Sequence, residues 1–162
     1  MRKFVMAVAL ALMPGVGAAC TLLQPFEMTQ IAGADLVLVG KVTGYEDLGT
    51  PQGTALVTLQ VEEVLKGTAT VRGSIKGSIS GSVRAGDEVV LVWNSGMAMG
   101  PHESRAKGRV LVGAMAGARI AVSDMVPDER PDLPAIVQPY CGEVWMQPAT
   151  RRTVAEARKV LE

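Results

Sequence analysis

Thr54-Ala55-Leu56-Val57-Thr58-Leu59-Gln60-Val61-Glu62-Glu63-Val64-Leu65-Lys66-Gly67 is the stretch on which the fold turns. Leu56, Leu59, Val61 and Val64 alternate with Thr58, Gln60, Glu62 and Glu63, apart from one slip near Val57. Successive side chains of a strand point to opposite sides, so this period of two predicts a long strand with one wet face. The slip predicts a bulge. Lys66-Gly67 ends the strand. Upstream, residues 36–43 are β-branched and mostly apolar, the composition of a buried strand. Residues 44–53 between the two are turn-rich. Earlier still, residues 26–34 follow Pro25 and carry Phe26, Ile31 and Ala34 at helical spacing, which predicts a short helix ending near Gly33.

Downstream, residues 70–83 place an apolar residue or Gly at every odd position, again strand-like. A turn over Ala85-Gly86-Asp87 leads to a central strand over residues 88–93. Residues 94–107 read as a loop rich in Gly and Met. Residues 109–114 and 119–122 predict a hairpin across Ala116-Gly117. Pro127, Pro131, Pro134 and Pro139 make residues 124–139 mostly loop. Residues 153–162 predict an amphipathic helix capped by Thr153, with Glu156 three residues on. Five or six strands at short spacing, with a helix at each end, predict a mainly β fold: a small closed or partly closed barrel.

The 162 residues suffice for one domain. Lys+Arg and Asp+Glu both number 16. That balance argues against a nucleic-acid partner, which needs a basic surface to displace counterions. The amino terminus reads as an address. Arg2 and Lys3 precede an uncharged apolar run over residues 4–13, then Pro14-Gly15 and the small residues Val16-Gly17-Ala18-Ala19. This is the order of a secretory signal peptide. The expectation is removal of residues 1–19, a mature domain over residues 20–162, and a periplasmic or secreted location without a membrane span. Cys20 would be the first mature residue. A lipid anchor there is the alternative processing, although Gly17 occupies the position where a lipobox carries Leu.

Cys20 and Cys141 are the two cysteines. In an oxidising compartment an even pair at opposite ends of a domain predicts one disulfide. It would close a loop of about 120 residues, a constraint that the chain-entropy model values at roughly 5 kcal/mol. The alternative is a lipidated Cys20 and an inert, buried Cys141.

Three pieces, in order, resemble the netrin-like, OB-type barrel of the tissue inhibitors of metalloproteinases and their bacterial exported relatives. They are Cys20-Thr21 followed by a short helix, Ala34-Asp35-Leu36-Val37-Leu38-Val39-Gly40-Lys41-Val42, and residues 57–67 ending in Lys66-Gly67. Residues 85–92 match a later strand more weakly. The resemblance implies a non-enzymatic, cofactor-free module that binds a protein partner. In the animal inhibitors the N-terminal Cys chelates the protease zinc through its α-amino group and carbonyl oxygen, and the next residue enters the specificity pocket. By position those roles fall to Cys20 and Thr21. Leu22 stands where the animal inhibitors have a second Cys.

A different chemistry is carried by Met97, Met99 and His102, the single histidine. Thioether sulfurs and an imidazole suit soft copper(I), so a periplasmic copper-binding protein is the alternative function. Ordinary packing explains two alternate Met residues as well. Ser104-Arg105-Ala106-Lys107 matches Ser-x-x-Lys, but that nucleophile needs a helix beginning at the Ser and further motifs absent here. Glu62 and Glu63 project to opposite faces of their strand and read as solvated charges rather than an acid/base pair. Trp93 and Trp145 read as core or rim packing. Arg105, Lys107 and Arg109 form a basic cluster that suits either solvated surface or one side of a partner contact.

Overall fold

The computed structural model describes residues 24–50, 53–67, 82–94, 101–115, 133–139 and 142–162. A 3-10 helix over Met28–Gly33 leads into β1 (Leu36–Asp47). There follow β2 (Thr54–Lys66), β3 (Glu88–Asn94), β4 (Arg109–Met115), β5 (Ala135–Ile136), β6 (Met146–Pro148) and the helix α1 (Arg151–Leu161). β1 pairs with both β2 and β4, β2 with β3, and β5 bridges β3 and β4. The ring β1-β2-β3-β5-β4 is therefore closed, a five-stranded OB-type barrel in a mainly β protein. β3 and β5 run parallel; the other pairs are antiparallel. β6 lies outside the ring on β4.

Alternation sorts the side chains into a core inside the barrel and clusters on its outer face. Leu36 and Leu38 of β1, Val57, Leu59 and Val61 of β2, Val89, Leu91 and Trp93 of β3, Val110 and Val112 of β4 and Ile136 of β5 pack together inside the barrel. The intervening Val37, Val39 and Leu111 point outward and are covered by Ile31 and Ala34 from the 3-10 turn and by Val154 and Ala157 of α1. Burying such aliphatic side chains contributes about 1.5–3 kcal/mol each. The Trp93 indole N–H donates to Gln138 Oε1 at 2.7 Å in the interior, so the largest core side chain keeps its polar atom satisfied.

Several local expectations are corrected. Val57 faces inward in step with Ala55, Leu59 and Val61, and Leu56 is the residue that breaks the apolar pattern. Leu56 points outward, where Val90, Val92, Leu133 and Ala135 give it an apolar neighbourhood. The irregularities of the β1–β2 ladder lie elsewhere, with Glu62, Leu65 and Thr43 each left without an opposite residue. β1 runs on to Asp47, through the first part of the expected loop, because β2 extends far enough to pair with it. The proline-rich stretch contributes β5, whose two residues close the ring. The cap of α1 is Thr150, whose hydroxyl accepts from Thr153 N–H at 3.1 Å. The Thr153 hydroxyl turns back to Pro148 O at 2.8 Å.

The Ala34-Asp35 and Lys66-Gly67 steps meet in space. Gly67 has φ +99°, and a Cβ there would stand 2.3 Å from the Asp35 carbonyl oxygen. Only glycine allows both the conformation and the approach. Lys66 Nζ donates to Ala32 O at 2.6 Å across the same junction. Of the strand expected at 70–83, residues 70–81 lie outside the described residues, as do the strand expected at 119–122 and residues 1–23. Among the described residues no helix is long and apolar enough to cross a membrane.

Candidate functional site: a cleft beside the amino-terminal segment

Residues 101–108 form a tight turn before β4. Arg105 N–H donates to His102 O at 2.9 Å and Ala106 N–H to Glu103 O at 3.1 Å. Ala106 is buried in the core and anchors the turn. Gly108, at φ +70°, lets the chain reverse, and its carbonyl accepts from Val42 N–H at 2.8 Å. On the other side, β6 pairs Pro148 with Val110 and Met146 with Val112. Between turn and strand lies an open cleft of about 290 Å³, lined by Arg105, Lys107, Val110, Glu143, Met146 and Pro148.

The amino-terminal segment is fastened at this cleft. Gln24 forms a parallel bridge with Gly142, and Glu143 N–H donates to Gln24 O at 3.0 Å. Phe26 N–H donates to Glu143 Oε2 at 3.1 Å. The other carboxylate oxygen, Oε1, lies 3.8 Å from Arg105. Glu143 thus holds the incoming chain with one oxygen and a cleft cation, loosely, with the other.

Tyr45 lies near the far end of β1. Its phenol is held above its ordinary value of 10.0, first by partial burial and then by the negative charges of Asp47 and Glu103.

His102 is exposed at the head of the turn. Met97, Met99, Cys20, Thr21 and Cys141 lie outside the described residues. Among the described residues no three His, Cys, Asp or Glu side chains gather as a metal site. Ser104 sits in a turn, so the helix that Ser-x-x-Lys chemistry requires is absent at that position. Glu62 and Glu63 do project differently, and each has an arginine. Glu62 accepts from Arg109 Nε, while Glu63 takes a bidentate contact from Arg158 at 2.7 and 2.8 Å. Both ion pairs are exposed to solvent, so these carboxylates are solvated charges that have arginine partners. Trp93 is core, and Trp145 packs over Gly33 and Gly113 with its indole N–H buried and unpartnered.

Glu143 and β6 carried no signal strong enough to be singled out from the sequence. Their importance comes from what β4 brings beside them. No protein-family model matches the chain, and no curated protein matches it.

Proposed function

We propose that this chain is an exported, non-enzymatic binding module that engages a protein partner with its amino-terminal edge, beginning at Cys20. One observation carries the reading. The segment that leads back to Cys20 is held by Gly142 and Glu143 through a backbone bridge and a carboxylate contact. An edge fixed in this way loses less conformational entropy on binding than a free tail would. Cys141 is the residue before Gly142, and Cys20 lies a few residues before Gln24, so the expected disulfide would fasten the same edge again.

In its sharpest form the partner is a zinc protease, whose metal would take the Cys20 α-amino and carbonyl groups, with Thr21 entering the adjacent pocket. A neutral amine and a carbonyl are chemically suited to an open zinc position. The test begins with intact mass and N-terminal sequencing of exported protein, where a chain starting at Cys20, with its two thiols oxidised, is expected. Inhibition of a zinc-protease panel should then be lost when one alanine is added before Cys20. A retained leader or a lipidated amine defeats the zinc mechanism. Stoichiometric copper(I) binding that disappears in His102→Ala, with no protein captured through the amino-terminal edge, would favour the copper alternative.

A further inference from the structure

Glu143 serves two donors that pull it in different directions. Its Oε2 accepts from Phe26 N–H at 3.1 Å, and its Oε1 stands 3.8 Å from an Arg105 terminal nitrogen. Neither contact is tight. A charge-assisted N–H···O contact closes to about 2.7–2.9 Å when nothing opposes it. The chain holds such a pair elsewhere: Arg158 meets both oxygens of Glu63, at 2.7 and 2.8 Å. A planar guanidinium fork matches a carboxylate in that two-point way. For Glu143 to meet the Arg105 fork with both oxygens, Oε2 has to turn from Phe26 towards the cleft.

The backbones around this carboxylate are fixed, so the side chain is the part that moves. Trp145 N–H donates to Val137 O and Gly113 N–H to Trp145 O, both at 2.8 Å, and Gly142 N–H donates to Pro139 O at 2.9 Å. Arg105 belongs to the turn anchored by buried Ala106. Lys107, the other cation lining the cleft, has Glu103 at 3.6 Å on its own turn, which leaves Arg105 as the rival for Glu143. The Arg105 and Glu143 side chains are 39% and 32% exposed. Water offsets much of either contact at that exposure, so the two arrangements lie close in free energy.

We infer that Glu143 is a two-position clasp on the amino-terminal edge. Bonded to Phe26 it sets the edge; paired with Arg105 it slackens it. The Gln24–Gly142 bridge and the Glu143 N–H to Gln24 O bond use backbone groups alone, so they persist in both positions. The swing therefore changes how firmly residues 24–26 are presented without detaching them. Arg105 is a positioning residue that acts through Glu143. The clasp regulates the edge assigned above to the partner, and its purpose rests on that reading.

The experiment is amide hydrogen exchange, followed residue by residue by NMR, on the full mature chain with no partner present. Gly142 N–H, on the fixed side of the clasp, is the reference. Arg105→Gln removes the rival cation, and Phe26 N–H should then exchange about two- to fivefold more slowly. Arg105→Lys keeps the charge without the fork and should fall between that variant and wild type. Glu143→Ala should speed exchange at Phe26 by about tenfold. Raising salt from roughly 0.05 to 0.5 M screens the pull of Arg105. It should slow Phe26 relative to Gly142 in wild type and leave Arg105→Gln unchanged. An arginine that merely supports Glu143 would give the opposite sign, with faster exchange in Arg105→Gln. That result, or no change at Phe26 in Arg105→Gln, overturns the inference. Because no partner takes part, a failed clasp and a failed binding reading are told apart.

Discussion

Replacing Gly67 by alanine tests the junction where β2 ends against the start of β1. Gly67 has φ +99°, and the added methyl would lie 2.3 Å from the Asp35 carbonyl oxygen and 3.2 Å from Leu36 Cα. The oxygen contact is roughly 1 Å shorter than a carbon and an oxygen tolerate. Neither partner is the end of a flexible side chain, so backbone must move. Holding alanine at positive φ costs about 1–2 kcal/mol. Displacing the junction also strains the Lys66–Ala32 hydrogen bond and the Val37–Lys66 pair, at about 1 kcal/mol each. The expected total is about 3–4 kcal/mol. Gly86 supplies the control. Its φ is +95°, but nothing lies within 4 Å of the added carbon, so Gly86→Ala should cost only the conformational part. Urea denaturation followed by far-UV circular dichroism reads both variants. Gly67→Ala should lose about 2 kcal/mol more than Gly86→Ala, with a thermal midpoint lower by roughly 4–8 °C. Equal losses would refute the claim that Asp35 and Gly67 must approach so closely.

Three further outcomes follow from contacts already described. Gln138→Leu strips the Trp93 indole N–H of its acceptor inside the barrel, and chemical denaturation should register a loss of about 1–3 kcal/mol. Thr150→Ala removes the cap of α1 and should cost about 1 kcal/mol, whereas Thr150→Asn or Thr150→Asp should restore most of it. Tyr45 should ionise later than free tyrosine when absorbance at high pH is compared between wild type and Tyr45→Phe, and Asp47→Asn should bring its titration down. The linkage sign is that of a raised acid. The neutral phenol is favoured in the folded state, so its contribution is complete below pH 10.0 and disappears as pH climbs through the raised folded value.

The four longer strands were legible because each is long enough for one face to declare itself. Leu59 and Val61, or Val89 and Leu91, reveal a buried side within a single strand. Leu56 misled because an apolar residue on the outer face looks the same in sequence as one facing the core. Its partners Leu133 and Ala135 arrive from far along the chain. β5 and β6 were illegible for a related reason. Two or three residues carry no period, and prolines beside them argue for a loop. Ala135 and Met146 become strand because β4 and β3 offer them backbone groups, not through their own propensity. At the cleft, Arg105, Lys107 and Arg109 stood out as a charge run. The addition of Glu143 beside Arg105 and Lys107 depends on long-range pairing.

β5 meets β3 through one residue pair, Val92 with Ala135, and meets β4 through two. β1 and β2, by contrast, are laced together along almost their whole length. A cylinder fastened so unevenly has a hinge side and a clasp side. Parting the clasp sacrifices the Val92 to Pro134 hydrogen bond and the indole contact to Gln138, roughly a few kcal/mol, while leaving the lacing untouched. Among the described strands, opening is therefore expected first on the clasp side, and hydrogen exchange should register the Trp93 indole N–H before the backbone N–H groups of Leu38 or Leu59.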